Sequence, residues 1–245
     1  MKIITFFYTL VVRCLVVKVC GLAIIPFAIS ACIPQKYRFD STYIYRMVNF
    51  FYWLILKVTG LSITYKGREN IPAEPVIFVA NHQSSLDIPL VGLLAQHTPH
   101  IWLARHELTE SLLLRWVLPI FAVIVDINSR HSSIASLRRV LSLISNKHRH
   151  LVIFPEGSRF ADGQIHNFFG GFVVLAKMTG RSIVPVYVHR ANTVYPRGAF
   201  LMHRHPITVV VGSPMSYTST DTNASFKKRV HDWFIETAAA HGIHH

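Results

Sequence analysis

Two short apolar runs that end abruptly in polar residues constrain this chain's fold more than any other feature. Val76-Ile77-Phe78-Val79-Ala80 leads straight into Asn81-His82, and Leu151-Val152-Ile153 leads into Phe154-Pro155-Glu156. Both read as short buried strands with chemistry at their carboxyl ends. Further short strands are expected at 62–66, 100–104, 122–126, 182–188 and 207–211. Helical stretches are expected near 85–96, 107–117, 132–147 and 170–179, with a last amphipathic helix over 223–240. Strands alternating with helices predict an α/β fold, a mixed and largely parallel sheet flanked by helices. Ligands of such open sheets bind beyond the carboxyl ends of the strands, where both polar clusters fall.

The chain before Gly60 is of another kind. Residues 3–33 are apolar apart from Arg13, Lys18 and a few small polar side chains. A spanning helix needs about 20 mostly apolar residues, and a charge at the bilayer centre costs about 2.5–3.5 kcal/mol on insertion scales. The expectation is a tilted or re-entrant anchor that snorkels both charges. A full span is the second reading. A cleaved signal is the third, since Ile29-Ser30-Ala31-Cys32 faintly resembles a lipoprotein cleavage box, although the basic region before the apolar core argues against it. Residues 43–59 form a second apolar segment, rich in Tyr and Trp, with Arg46 and Lys57 near its ends. It suits a helix lying in the membrane interface. A helix packed on the domain core is the alternative. The expected division is a membrane-anchoring segment over 1–59 and a catalytic domain over 60–245.

Composition agrees with membrane contact. Only 15% of the 245 residues are charged, mean hydropathy is +0.35 and the net charge is +13, against about 25% charged in a typical soluble domain. Such a charge attracts nucleic acid, anionic lipid or phosphorylated substrates alike. The basic residues are scattered rather than set in a stripe with aromatics, so nucleic acid is not expected. Cys14, Cys20 and Cys32 all lie in the apolar leader, and neither they nor the histidines show a metal-binding spacing, so no metal is expected.

The first polar cluster is Asn81-His82-Gln83-Ser84-Ser85-Leu86-Asp87. Five residues of continuous helix would leave His82 and Asp87 roughly 140° apart. For the two to meet, His82 sits in the loop and Asp87 in the first helical turn, a place favoured by Ser84, Ser85 and Pro89. Asp87 then bonds one ring nitrogen and leaves the other free to take a proton. No nucleophile elbow surrounds the serines, so the attacking group would be a substrate hydroxyl. The bland alternative is a surface loop with an incidental histidine and a capping aspartate. In the second cluster Glu156 offers an acceptor for a hydroxyl, Gly157 admits close backbone approach, and Arg159 offers a planar fork for phosphate or carboxylate. Its bland alternative is a turn with a surface Glu–Arg pair.

These blocks together resemble the glycerolipid acyltransferase family, and most of all its bacterial 1-acylglycerol-3-phosphate acyltransferases, over roughly residues 60 to 215. Asn81 to Asp87 resembles the family's catalytic NHxxxxD block. Ala104-Arg105-His106-Glu107-Leu108 resembles the second block, where a basic residue contacts the acceptor phosphate. Phe154 to Arg159 resembles the FPEGTR block with Ser158 in place of threonine, and Ile183-Val184-Pro185-Val186 resembles the fourth, on the acyl-donor side. The resemblance implies a glycerolipid acyltransferase-like fold. It also implies acyl transfer from acyl-CoA or acyl carrier protein to a lysophospholipid hydroxyl in phospholipid biosynthesis, without a cofactor. His82 and Asp87 would be catalytic. Arg105, Glu156, Gly157, Ser158, Arg159 and Pro185 would bind substrate. Cytosolic donors would place the domain on the cytoplasmic face, at the inner membrane of a bacterium.

Two positions depart from the family pattern. The expected Asp-Arg pair reads Asp126-Ile127, with Arg130 the nearest arginine, and the expected Lys-Lys-Gly reads Phe168-Phe169-Gly170-Gly171. A different lipid acceptor therefore stays open. From another class, a non-catalytic lipid-binding peripheral membrane protein would share the basic charge and the apolar leader, but has no need of His82 and Asp87 together.

Overall fold

The computed structural model describes residues 2–105, 118, 121–125, 130–145, 147–160 and 162–242, without the side chains of Arg105, Arg130 and His131. The expected helix near 107–117, Asp126 and Ile127 lie outside them.

A seven-stranded sheet carries the domain: β1 (Ile63–Lys66), β2 (Ile77–Ala80), β3 (His100–Arg105), β4 (Ala122–Val125), β5 (His150–Ile153), β6 (Ile183–His189) and β7 (Ile207–Val211), in the order β1-β7-β6-β2-β5-β3-β4. All neighbouring pairs are parallel except β6 with β7. The central strand β2 is buried at every position. Phe78 and Ala80 join one hydrophobic cluster while Ile77 and Val79 join the other, so the sheet is covered on both faces, as parallel sheets generally are.

The helices are α1 (Lys2–Ala31), α2 (Gln35–Arg38), α3 (Thr42–Thr59), α4 (Asp87–Gly92), α5 (Arg130–Ile144), α6 (Gly171–Thr179), α7 (Ala191–Val194) and α8 (Asn223–Ala240). The short α2 and α7 escaped the sequence reading because four residues carry no helical period. On one face of the sheet α3 packs against α4. The contact is close enough that a Cβ at Gly92 would run into the Tyr52 ring. Tyr52 also accepts a 3.1 Å hydrogen bond from Trp102 Nε1 in β3. On the other face α5, α6 and α8 supply Val140, Leu175, Phe226 and Phe234. The last helix begins at a capping box between Thr222 and Ser225, which satisfies its first orphan donors.

The leader is one continuous helix with Pro26 inside it, about 45 Å long, rather than a re-entrant hairpin of its own. It packs along α3 through Val19, Ala23, Phe27 and Phe51. Its amino half also docks on the domain. Thr9 Oγ1 accepts from Met202 N–H at 2.9 Å. Arg13 donates to the carbonyls of Ala199 and Phe200 and to the Tyr195 hydroxyl, with its guanidinium 4.4 Å over the Phe200 ring. Arg13 is thus held by the protein's own carbonyls and a hydroxyl, while Lys18 is exposed. Much of the remaining surface of α1 is apolar and exposed, Ile3, Phe7, Val17, Ile24 and Ile29 among it. α3 combines both readings made for it. Tyr45, Val48 and Leu56 are buried on the domain side, whereas Tyr43, Phe50 and Trp53 are exposed.

Candidate active site

β2 ends at Ala80, and Asn81 continues its pairing by other means. The Asn81 amide donates to Val188 O at 3.1 Å and accepts from Val188 N–H at 2.7 Å. A side chain here replaces a strand's backbone, so the chain can turn out of the sheet at His82 while still tied to β6.

His82 lies in the loop and Asp87 is the first residue of α4. His82 Nδ1 stands 2.9 Å from Asp87 Oδ2. The same oxygen accepts the N–H of Gln83 at 2.6 Å and of Ser84 at 2.8 Å. With the carboxylate accepting, Nδ1 carries the hydrogen and Nε2 keeps its lone pair. No group among the described residues bonds Nε2. The His82 side chain keeps 15% of its surface exposed while Asp87 keeps none, so the pair presents a free nitrogen outward from a buried anchor. The imidazole is further fixed by stacking on Phe154, with centroids 3.9 Å apart and planes 7° from parallel. Nothing in the spacing of the two blocks announced that stack. The N–H groups of Gln83 and Ser84, at the helix start, are both spent on Asp87.

Glu156, expected to accept from a substrate hydroxyl, already accepts from the protein. The structure buries it to 4% exposure. Its Oε1 accepts His82 N–H at 3.1 Å and its Oε2 accepts His166 N–H at 3.4 Å. Burial, opposed by those two bonds and aided by Asp87 and Asp162, pushes its carboxyl up to about 8. Glu156 therefore holds the His82 loop against the second block.

Gly157 packs closely against the protein itself. Its φ is +70°, and a Cβ there would come within 2.7 Å of the Phe169 ring. Arg159 Nη1 donates to Ser85 Oγ at 2.6 Å, so the guanidinium reaches the first block and keeps its remaining donors for an anion. Ser158, beside it, is partly buried. The backbone of Arg105 ends β3 opposite Val125. Its side chain, with His106, Glu107 and Leu108, lies outside the described residues.

Pro185 belongs elsewhere. It is buried in mid-sheet, paired with Val79, and its carbonyl accepts Gly212 N–H at 2.9 Å. Val79 belongs to the cluster on the α6 and α8 side of the sheet, and Pro185 itself flanks Gly212 beside Trp233 of α8. It serves the core and does not join His82. Among the described residues no three His, Cys, Asp or Glu come together as a metal-binding group.

Fold and site together define an α/β protein that carries an imidazole on a buried carboxylate at the carboxyl edge of its sheet. The chain belongs to the acyltransferase family, whose model matches residues 62–189, just over half of its length. It is 26% identical over 216 residues to the 1-acyl-sn-glycerol-3-phosphate acyltransferase of Pseudomonas aeruginosa, covering 87% of this chain and 82% of that one. It is 30% identical over 165 residues to the enzyme of the same name from Borreliella burgdorferi, covering 64% and 65%. The crystal structure of the 1-acyl-sn-glycerophosphate acyltransferase of Thermotoga maritima superposes with a TM-score of 0.77 over 98% of both chains, at 22% identity. That likeness is one of fold.

Proposed function

We propose that this acyltransferase moves an acyl group from acyl-CoA or acyl carrier protein to the free hydroxyl of 1-acylglycerol-3-phosphate, giving phosphatidic acid. The observation that carries the reading is the His82–Asp87 pair, 2.9 Å apart, with Nε2 left open. His82 Nε2 takes the proton of the acceptor hydroxyl as its oxygen attacks the thioester carbonyl. Asp87 stabilises the imidazolium that forms. Collapse of the tetrahedral species expels the thiolate, which takes the proton back from His82. No acyl-enzyme forms and no cofactor or metal is required. Arg159 and Arg105 bind the acceptor phosphate, with Ser158 and Gly157 shaping the approach. Two relatives bearing the 1-acyl-sn-glycerol-3-phosphate name support this acceptor.

Phe169 favours a second acceptor class. It is exposed and lies against Gly157, where the family pattern has a basic residue, so another lysolipid with less headgroup charge would fit. The membrane side of the reading assigns residues 1–59 to interfacial anchoring and 60–245 to catalysis. The exposed apolar surface of α1 lies in the bilayer boundary on the cytoplasmic face, where the thioester donors are.

The test is to incubate the membrane-reconstituted protein with palmitoyl-CoA, or an acyl carrier protein thioester, and a panel of lysolipids, reading products by mass spectrometry. Phosphatidic acid from lysophosphatidic acid, lost in His82→Ala, is the expected result. Product from another lysolipid alone would move the acceptor and keep the chemistry. No product from any pair would overturn the reading.

A further inference from the structure

A cavity of about 750 Å³ opens on the outer side of α3, and none of its lining belongs to the site around His82. Arg46 of α3 and Arg68 stand on it, both exposed, and Arg46 makes no ion pair among the described residues. Phe50 and Trp53 of α3 form its apolar part, at 49% and 48% exposure. Asn49 also lines it. That side chain is only 4% exposed, yet neither its amide nitrogen nor its amide oxygen has a partner among the described residues. An unpaired buried amide carries a desolvation cost that a native protein rarely leaves uncompensated. Gln96 faces the same cavity from a left-handed φ of +51°, rare for a residue with a side chain, and backbone strain of this kind clusters at ligand-holding positions.

The chemistry of the lining points one way. Two guanidinium groups suit a phosphate, and Trp and Phe at its mouth suit the headgroup level of a bilayer, where aromatic rings collect. Tyr43, Arg46, Phe50, Trp53 and Lys57 recur at three- and four-residue steps, all exposed, which lays them along one stripe of α3. Glu69, the one carboxylate of the lining, would accept from headgroup hydroxyls beyond the phosphate.

We propose that this cavity binds the headgroup of an anionic phospholipid of the surrounding bilayer, a phosphate followed by hydroxyls, as a site separate from the acyl acceptor's. The inference rests on the interfacial reading of residues 1–59. The bound lipid satisfies the Asn49 amide and selects anionic membrane around the enzyme.

The test measures binding of the full-length protein to phosphatidylcholine vesicles with and without phosphatidylglycerol, by co-sedimentation. Wild-type protein should prefer the phosphatidylglycerol vesicles. Arg46→Gln/Arg68→Gln should cut that preference by about 25-fold, at about fivefold for each basic residue near an anionic surface. Asn49→Leu, which keeps every charge, should cut it several-fold while unfolding no more easily. Lys227→Gln/Lys228→Gln removes the same charge from α8 and should leave the preference in place. Equal loss in the two double variants, or none in Asn49→Leu, would reduce the effect to bulk charge and overturn the site. Displacement by inorganic phosphate as effective as by a short-chain phosphatidylglycerol would overturn the lipid assignment. Failure of the wild type to bind even phosphatidylcholine vesicles would overturn the interfacial reading, and this inference with it. All variants should keep basal activity on detergent-dispersed substrate.

Discussion

At the scale of single residues, the two members of the central pair are unlike in what they hold up. His82 is stacked and partly exposed, and its ring ends in open space. Replacing it by alanine should cost about 10²–10⁴-fold in turnover, the usual range for loss of a general base, with thermal unfolding nearly unchanged. Asp87 has a structural debt as well. Its Oδ2 answers two backbone N–H groups in addition to the imidazole. Asp87→Ala strands both donors in the interior, at about 1–3 kcal/mol each. Urea unfolding should therefore show a loss of about 2–6 kcal/mol, together with loss of activity. A His82→Ala protein that keeps its full rate, or an Asp87→Ala protein as stable as the wild type, would contradict the geometry. At Arg159 the expected signature is kinetic. Arg159→Ala should raise KM for a phosphate-bearing acceptor far more than it lowers kcat, because the group binds the substrate's charge and not the reacting atoms.

At the scale of elements, α3 meets the catalytic layer closely where Tyr52 lies on Gly92 of α4. Gly92→Ala forces the ring off its seat and takes the hydroxyl away from Trp102. A loss of about 1–3 kcal/mol is expected, the usual cost of overpacking. Pairing it with Tyr52→Ala should cost less than the sum of the two single changes, which a double-mutant cycle by calorimetry would read. This layer also shows what could be read beforehand. The alternation of strands and helices was legible because each run is short, apolar and closed by polar residues. The meeting of His82 with Asp87 was legible because strand end and helix start are both local signals. The reversal of β7 against β6 was not, since antiparallel pairing across a long connection leaves no mark in either run. Nor was the inward turn of Glu156. A carboxylate after Pro155 in a loop belongs in water by default, and one of the two N–H groups it answers lies 74 positions away. Pro185 is the opposite case. Its block is recognisable, but the residue sits where a missing N–H is tolerated inside the sheet, and it serves packing.

For the molecule as a whole, buried ionisable groups set a pH profile of stability. Burial holds His100 down at about 4, and burial with nearby positive groups holds His150 down at about 3. Both fold neutral. Below their unfolded value near 6.5 the unfolded chain binds more protons, so stability falls as the solution is acidified. Glu156 acts in the reverse sense. Its carboxyl is raised to about 8 from an ordinary 4.5, so between those values the folded chain binds more protons and stability falls as pH rises. Burial, with His241 and Arg190 nearby, also holds His189 down at about 4, so between 4.5 and 6.5 three histidines outweigh the one carboxyl. From 6.5 to 8 the carboxyl acts alone. The midpoint of thermal unfolding should therefore peak near pH 6.5. Glu156→Gln should flatten the alkaline limb and leave the acid limb in place. An unchanged alkaline limb in that variant would show that Glu156 folds ionised.

The docking of Arg13 has a consequence for how this protein can be rebuilt. The Tyr195 hydroxyl that receives Arg13 belongs to the residue whose carbonyl receives Ser84 Oγ at 2.8 Å, and Ser84 also feeds Asp87. The leader is thus part of the scaffolding behind the imidazole, four bonded steps from it. It is not an interchangeable address label. A chimera carrying a foreign amphipathic helix would still reach the bilayer, but it would arrive with a slack active site. A soluble fragment cut after Gly60 would lose the same brace, however well it purified.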